Sequence, residues 1–314
     1  MTRTYAVTGG TGFLGAVIIE QLVRRGDCVR ALVRDPARLG VTVATVTPVV
    51  GSLGSADALS KMAEGAAVVI HCAGLTHARR DAEFHAVNAE GAGRVAAAAA
   101  SAGARVVLIS SMAARRPEVS AYSASKRAGE EAVAAAAAVG GRAWTSLRAP
   151  ALYGPGDAAT LPYFKLIKSG VAPEPAADPA PRASILYVGD VAAAAIAAAD
   201  APPPAGVYEI GDERSDGHSW SEIGETLAAA LAVRARKIRA PRRLLAACTA
   251  ISSSVERLFG GAPMVTPGKV AEFFHPDWVA RDNMFAAASS WRPSTSLGEG
   301  FAKTVRWYKE NGLL

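Results

Sequence analysis

Residues 8–15 read Thr8-Gly9-Gly10-Thr11-Gly12-Phe13-Leu14-Gly15, and this stretch decides the fold. It lies between Tyr5-Ala6-Val7, which predicts the end of a buried strand, and residues 16–23, which predict a helix. In a strand–turn–helix unit the glycines permit a tight turn and a close approach of backbone to a diphosphate, while the helix N-terminus supplies N–H groups and a positive dipole. The stretch therefore predicts a dinucleotide-binding loop formed by Gly9, Thr11, Gly12, Phe13, Leu14 and Gly15.

Strand and helix signals alternate through the first half of the chain. Strands are predicted at residues 5–7, 29–33, 45–50, 68–71, 105–110 and 143–147, with helices between them that include residues 86–102 and 121–139. Two further strands, at residues 184–188 and 207–210, are predicted to return to the same sheet after a proline-rich stretch at 171–181. The pattern predicts an α/β fold with a doubly wound parallel sheet, whose ligands bind at the C-terminal ends of the strands.

The C-terminal part of the chain differs in character, because helical and irregular segments replace the alternation beyond residue 212. We predict a dinucleotide-binding domain of the Rossmann type at residues 1–165 and 184–214, and a small substrate-binding lid at residues 166–183 and 215–314. Long alanine-rich stretches are predicted to be closely packed helices, because alanine combines a high helix propensity with a small side chain.

The composition narrows the class of protein. The 314 residues are half apolar, so the chain can bury a large core, and neither a transmembrane run nor a secretory leader is expected. Three cysteines (Cys28, Cys72 and Cys248) and five histidines show no metal-ligand spacing, so we expect no metal site and a cytoplasmic location. The net charge of +6 suits an anionic cofactor, and no motif for nucleic-acid binding accompanies it.

Tyr122-Ser123-Ala124-Ser125-Lys126 supplies a candidate acid–base pair. On a helix Lys126 lies one turn from Tyr122 on the same face, so its ammonium group can stabilise the phenolate and lower a tyrosine pKa that is ordinarily about 10. Taken alone, the spacing favours two solvated side chains. Combined with the glycine loop and with Ser110-Ser111 at the end of a predicted strand, it favours an enzyme that moves a hydride to or from a carbonyl carbon.

The order of these motifs resembles the extended short-chain dehydrogenase/reductase family, which includes NAD(P)-dependent epimerases and dehydratases. The resemblance covers nearly the whole chain. Besides the motifs above, it rests on residues 69–74, 88–91, 148–157 and 187–192, and on Gly298, Gly300, Trp307 and Tyr308.

The resemblance implies roles for particular residues. Ser111, Tyr122 and Lys126 are expected to be catalytic, with Lys126 also holding the nicotinamide ribose, and Asn88 is expected to organise water near the lysine. Ser111 is preferred to Ser110 by alignment with family members, because the residues themselves do not separate the two. Further cofactor contacts are expected from Ala73, Gly74, Tyr122, Lys126 and Pro150.

The choice of cofactor depends on the end of the second predicted strand. An acidic residue there would accept bonds from both ribose hydroxyls, but this chain has Arg34, whose guanidinium offers paired donors to a 2′-phosphate. We therefore favour NADP(H). NAD(H) stays possible, because Asp35 could bind a ribose hydroxyl. The alternative interpretation of Arg34 is a solvated residue at the end of a strand, without a role in cofactor choice. The family often has Asp-Leu after the third strand to bind adenine, and Ser52-Leu53 stands there instead.

Two departures from the family pattern concern the substrate. Nucleotide-sugar enzymes of the family usually carry an asparagine for the diphosphate where this chain has Ala151, and a Val-Tyr-Gly turn where it has residues 112–116. The pattern is closer to 3β-hydroxysteroid dehydrogenases and dihydroflavonol reductases. We therefore expect an NADP(H)-dependent oxidoreductase that interconverts a ketone and a secondary alcohol on an apolar, lipid-, sphingoid- or steroid-like molecule. The alternatives are a nucleotide-sugar epimerase or dehydratase with tightly bound NAD, and an NADPH-binding accessory subunit without turnover, which the retained Tyr/Lys pair makes least favoured.

A basic stretch at residues 234–245 precedes apolar segments at 246–251 and 255–259. A lid helix with solvated arginines is the favoured interpretation, and peripheral contact with the inner membrane is the alternative. The sequence is compatible with a monomer or a homodimer.

Overall fold

Strands and helices alternate along the chain in the computed structural model, which describes residues 3–40, 44–243 and 266–314. The strands are β1 Thr4–Thr8, β2 Cys28–Val33, β3 Val46–Val50, β4 Val68–His71, β5 Arg105–Ser111, β6 Trp144–Ala149, β7 Ala151–Tyr153, β8 Val171–Pro175, β9 Arg182–Ala183, β10 Ile185–Tyr187, β11 Gly206–Glu209, β12 His218–Ser219, β13 Arg236–Ala240 and β14 Asp277–Trp278. The helices are α1 Phe13–Arg24, α2 Ala56–Ala63, α3 Asp81–Phe84, α4 Gly91–Ser101, α5 Ala121–Gly140, α6 Leu161–Lys168, α7 Val188–Asp200, α8 Trp220–Leu231, α9 Pro267–Phe273, α10 Phe285–Ala288 and α11 Leu297–Glu310. Short 3₁₀ helices cover Pro36–Arg38 and Met112–Arg115, and a π-helical turn covers His85–Glu90.

The chain divides into two compact units. Among the described residues, the first comprises those within Met1–Ala149, Val191–Ile210 and Asp282–Arg292. The second comprises those within Pro150–Asp190, Gly211–Arg281 and Pro293–Leu314.

The first unit is built on a seven-stranded parallel sheet. Its strand order is β11-β6-β5-β4-β1-β2-β3, and the interior strand β1 pairs in parallel with both neighbours, Tyr5 lying opposite Val29 of β2 and Val68 of β4. Tyr5, Ala6 and Val7 are fully buried, as expected of a strand covered on both faces. The predicted doubly wound parallel α/β sheet is confirmed.

Alanine lets the helices of the first unit lie close together. Ala92, Ala96 and Ala99 of α4 are buried in the core, and a Cβ added at Gly93 would lie 3.3 Å from Ala132 of α5. Small side chains at these positions allow α4 and α5 to pack closely, as the alanine-rich composition predicts.

One predicted strand does not join the main sheet. The prediction for residues 207–210 is confirmed by β11, which pairs with β6, but the prediction that residues 184–188 return to the same sheet is wrong. β10 pairs with β7 in a separate two-stranded parallel sheet of the second unit. A short apolar segment fits either sheet, and here the position beside β6 is taken by β11.

The second unit has a core of its own. Aromatic rings from α6 and α11 meet there, Phe164 lying edge-on to Phe301 and Tyr308 with ring centroids 5.6 and 5.1 Å apart. The proline-rich stretch contains β8, whose only strand partner among the described residues is β13. Such an edge position tolerates prolines, which cannot donate to a second neighbour.

Within the part of the chain that the structure describes, no helix is long and apolar enough to span a bilayer. The apolar segments at residues 246–251 and 255–259, and Cys248, lie outside the described residues.

Candidate active site

The glycine loop connects β1 to α1 and is closely packed. Gly9 has φ +74°, and a Cβ there would lie 2.6 Å from the Ala73 nitrogen, while a Cβ at Gly15 would lie 2.1 Å from the Gly9 carbonyl oxygen. Any side chain at either position would displace backbone, so the loop, the start of α1 and the segment after β4 require glycine to approach one another.

Within the part of the chain that the structure describes, the start of α1 has no side-chain cap. Gly12 is the N-cap and supplies no side-chain bond, and the first turn carries no acidic residue. A helix start of this kind offers N–H donors and a positive dipole to an anion. Together with the close approach at Gly9 and Gly15, this arrangement fits the diphosphate of a dinucleotide cofactor.

Thr8 and His71 fix the segment after β4 beside the glycine loop. Thr8 Oγ1 accepts from the Ala73 N–H at 3.2 Å and lies 2.6 Å from His71 Nδ1. Burial, with a smaller contribution from the charge of Lys126, lowers the pKa of His71 to about 3. His71 is therefore a neutral, buried residue that positions Ala73 and Gly74.

The burial of His71 predicts a pH-dependent stability. The unfolded chain protonates this imidazole near pH 6.5 and the folded protein only near pH 3, so the unfolded state binds more protons between these values. Stability therefore falls as the pH drops below 6.5, by at most about 1.4 kcal/mol per pH unit. The free energy of unfolding is measured in urea at pH 7, 6 and 5. Between pH 7 and pH 5 we expect it to fall more steeply for the wild type than for His71→Asn. The control His85→Asn, at an exposed histidine, should follow the wild type. Equal slopes for all three proteins would contradict this origin.

Asn88 ties the loop after β4 to helix α5. Its Oδ1 accepts from the Leu75 N–H at 2.7 Å, and its Nδ2 donates to the Leu75 carbonyl and to Ser125 Oγ, each at 3.0 Å. Asn88 is buried in the π-helical turn that precedes α4, a local geometry frequent at functional sites. The structure gives Asn88 a positioning role through these bonds, and its expected role in organising water remains a prediction.

Helix α5 carries the candidate acid–base pair. The helix starts at Ala121, where the Ser120 hydroxyl accepts from the Ser123 N–H at 3.0 Å. Tyr122, in the first turn, is partly buried and packs edge-on against Phe84, with ring centroids 5.8 Å apart. Ser125, which holds Asn88, donates to the Tyr122 carbonyl at 2.7 Å. The start of α5 is thus fixed by the same bonds that fix the loop after β4.

Lys126 connects α5 to the end of β5 and to the cofactor-binding segment. Its Nζ donates to the Ile109 carbonyl at 2.7 Å, and a Cβ added at Gly74 would lie 4.0 Å from the same nitrogen. Burial lowers the pKa of Lys126 to about 8, although the nearby Glu130 carboxylate acts in the opposite direction. The ammonium form therefore dominates at neutral pH beside the predicted cofactor site.

The structure separates the two serines that end β5. Ser110 is buried and donates to Glu130 Oε1 at 2.6 Å. Ser111 is only partly buried, and its Oγ accepts from the Ala113 N–H at 3.2 Å as the cap of the following 3₁₀ helix. Ser110 thus belongs to a buried polar cluster, whereas Ser111 lies outside it, and the catalytic role of Ser111 stays a prediction.

Paired substitutions test this separation. Ser111→Ala should lower kcat by about 10²-fold, the loss typical of one donor to a reacting oxygen, and lower the free energy of unfolding by about 1 kcal/mol, because Ala113 loses its cap. Ser110→Ala should retain kcat but lower the free energy of unfolding by about 1–3 kcal/mol, because the buried Glu130 carboxylate loses a donor. The assignment fails if Ser110→Ala is the variant that loses turnover.

A buried ionic cluster behind the site is a feature that the motifs do not predict. Glu130 accepts from Arg148 Nε at 2.9 Å and from its second terminal nitrogen at 2.7 Å, and Arg148 lies 4.0 Å from Glu209 of β11. Arg115, in the 3₁₀ helix after Ser111, lies 3.6 Å from the same Glu209. The signal available in the sequence was Glu130 itself, a carboxylate one turn after Lys126 on a helix that packs against the sheet.

The residues expected to select the cofactor lie at the ends of β2 and β3. Arg34 follows β2 directly and is exposed, whereas the Asp35 carboxylate accepts from the Ala37 N–H at 3.0 Å and caps a 3₁₀ helix. Ser52 lies in the turn after β3, and the Leu53 carbonyl accepts from Arg94 Nε at 2.9 Å. Pro150 is buried and begins the second unit. The cofactor contacts of Arg34, Ser52, Leu53 and Pro150 stay predictions.

Several known proteins are similar in sequence to this chain. A sequence model of the NAD dependent epimerase/dehydratase family matches residues 5–211. A ceramide reductase of Caulobacter vibrioides is 39% identical over 312 residues, which cover 98% of this chain and 95% of that protein. A 4-hydroxy-2-methyl-3-oxo-4-farnesyl-3,4-dihydroquinoline-1-oxide ketoreductase of Stigmatella aurantiaca is 44% identical over 99 residues, or 31% of this chain and 29% of that protein.

A solved structure shows the same fold. The enzyme WbmG of Bordetella bronchiseptica, in complex with NAD and UDP, superposes with a TM-score of 0.74 at 19% identity, covering 99% of this chain and 96% of that one. The family model covers most of the chain, and the ceramide reductase is similar to it along nearly all of its length. This chain therefore belongs to the NAD-dependent epimerase/dehydratase family of extended short-chain dehydrogenases/reductases, whose members are NAD(P)-dependent oxidoreductase-type enzymes.

Proposed function

We propose that this protein is an NADP(H)-dependent reductase that interconverts a ketone and a secondary alcohol on an apolar, lipid-like substrate. The observation that carries the proposal is the placement of Lys126, whose Nζ joins the end of β5 to the segment that also borders the glycine loop. Ser111 ends β5 and Tyr122 lies one turn before Lys126, which supports a polar triad of these three residues beside the proposed cofactor site.

These residues are suited to proton transfer at a carbonyl oxygen. The nicotinamide cofactor supplies or accepts the hydride when it is bound. Tyr122 is proposed to donate its phenolic proton to the substrate oxygen during reduction and to take it back during oxidation, and the Ser111 hydroxyl to hydrogen-bond the same oxygen. The Lys126 ammonium stabilises the phenolate that results, because an adjacent positive charge lowers a phenol pKa.

The proposed substrate class rests on two observations. The relative that matches this chain along nearly its whole length is named a ceramide reductase, and a shorter match is named for a farnesylated quinoline ketone. Position 151 is an alanine on β7, which offers no side-chain donor to a diphosphate. A dianionic sugar nucleotide would lack this partner, and burying charge without partners is costly. The second unit, with its aromatic and aliphatic core, is proposed to carry the substrate-binding residues.

A paired assay tests the function. NADPH oxidation is followed with a panel of long-chain β-keto lipids, ketosphingoids and steroid ketones, and binding of UDP and UDP-sugars to the cofactor-loaded protein is measured by calorimetry. We expect turnover of at least one apolar ketone and no binding of UDP-sugars at micromolar concentration. Micromolar affinity for a UDP-sugar, with no ketone turned over, would replace the reductase by an epimerase or dehydratase with tightly held NAD. Cofactor binding with neither activity would favour an accessory subunit.

The preference for NADP(H) is proposed from Arg34. Arg34→Asp removes a guanidinium suited to a 2′-phosphate and adds a repelling charge, so NADPH should bind roughly ten- to a hundredfold more weakly while NADH binding changes little. Fluorescence titration of the same variant with both cofactors measures the difference. Equal losses for the two cofactors would show that Arg34 does not recognise the phosphate.

A further inference from the structure

The strand β13 lies at an edge of the second unit. It pairs in parallel with β8, beginning where the Arg236 N–H donates to the Gly170 carbonyl at 2.8 Å, and no other strand pairs with it among the described residues. Exposed edges of this kind are commonly protected by charged side chains. Basic side chains are closely spaced along β13 and the residues that flank it.

The cations of this edge have few acidic neighbours. Residues 234–243 contain six basic side chains and no acidic one, and all six are exposed: Arg234, Arg236, Lys237, Arg239, Arg242 and Arg243. We call these six the basic edge. The acidic groups that face it are Glu225 of α8, which pairs with Lys237 at 2.6 Å, and Glu174 of β8, opposite Arg239 in the strand register. The six basic side chains of this edge thus face two acidic ones, Glu225 and Glu174, and the edge carries a net positive charge.

Two further features extend this surface. Helix α6 ends at Lys168, two residues before the Gly170 that binds Arg236, so Lys165 and Lys168 add positive charge near the start of β13. Ile238, in the middle of the strand, is 47% exposed although it is a large aliphatic side chain. Side chains two positions apart in a strand share a face, so Ile238 places an accessible apolar residue on the same face of β13 as Arg236.

We propose that the basic edge docks on the surface of an anionic phospholipid bilayer. Clustered arginines and lysines are attracted to anionic headgroups, each adding to the binding, and an exposed aliphatic side chain among them can enter the headgroup boundary. Residues 234–243 contain no aromatic side chain on which a nucleic-acid base would stack, which favours lipid over single-stranded nucleic acid. This proposal does not depend on the reductase activity.

Vesicle flotation tests the docking without any turnover assay. The full-length protein is mixed with vesicles of phosphatidylcholine alone or with 30% phosphatidylglycerol (roughly the anionic density at which polybasic segments bind), at low and high salt. We expect binding to the anionic vesicles at low salt, weak binding to neutral vesicles, and loss of binding at high salt, because exposed charges are screened. The double variant Arg236→Glu/Arg239→Glu should bind anionic vesicles at least tenfold more weakly.

A matched control separates a local surface from net charge. Arg142→Glu/Arg306→Glu changes the net charge by the same amount at two exposed arginines outside the basic edge, and it should bind like the wild type. Melting temperatures confirm that both double variants are folded. The proposal is overturned if the wild type does not bind anionic vesicles, because the charges would then only protect the strand edge. It is also overturned if the two double variants lose binding equally, or if an oligonucleotide displaces all of the protein from the vesicles.

Discussion

Tyr122→Phe is expected to lower kcat by about 10²–10⁴-fold, the range that a positioned general acid or base contributes. The substitution removes the phenolic proton that the proposed reduction transfers to the substrate oxygen. It leaves the ring that packs on Phe84 and the backbone carbonyl that accepts from Ser125. Turnover at saturating substrate and cofactor measures the loss, and fluorescence titration with NADPH should give an affinity close to that of the wild type.

A second tyrosine provides the control. Tyr208 belongs to the same unit, and its hydroxyl donates to the Pro204 carbonyl at 2.7 Å. Tyr208→Phe removes the same chemical group away from the triad and should retain kcat. If Tyr122→Phe kept more than about half of the wild-type kcat, Tyr122 would not be the general acid, because that loss lies far below the expected range.

The sheet and the position of the site followed from local sequence signals. The glycine loop was predictable because Gly9 and Gly15 occupy positions where a Cβ would collide with backbone, so no other residue type serves there. The Tyr122 and Lys126 spacing was predictable because it depends only on the helical repeat. The positive φ of Gly9, the contact of Gly15 with Gly9 and the Tyr122–Lys126 spacing each lie within one turn or one helix, which a sequence pattern can encode.

Features that depend on distant partners were not predictable in the same way. The segment Ile185–Tyr187 is apolar enough for the main sheet, and only its pairing with β7 shows that it belongs elsewhere. Ser110 and Ser111 are equivalent in sequence, and the structure separates them because Ser110 is buried against Glu130 while Ser111 caps the following 3₁₀ helix. The ion pair of Glu130 with Arg148 joins residues 18 positions apart in the chain, and no local sequence pattern predicts that these two residues pair.

That ion pair predicts a large effect on stability. Glu130 and Arg148 are joined by two hydrogen bonds, and their side chains are only 3% and 13% exposed. Glu130→Gln removes the charge of one partner and leaves a largely buried guanidinium. Breaking a buried pair in this way typically lowers the free energy of unfolding by about 3–5 kcal/mol, and the nearby Glu209 favours the lower end of that range. Urea unfolding at pH 7 measures the change.

The adjacent residue supplies an exposed control for the same substitution. Glu131 pairs with Arg127 at 3.0 Å on the same helix, but these side chains are 67% and 44% exposed. Water screens such a pair, so Glu131→Gln should change the free energy of unfolding by no more than about 0.5 kcal/mol. If the two variants were equally stable, the desolvated cluster behind Ser111 would not be what holds β5, β6 and α5 together. A loss confined to Glu130→Gln would show that the buried charge pair between α5, which bears Tyr122, and β6, the neighbour of the strand that ends in Ser111, stabilises the fold.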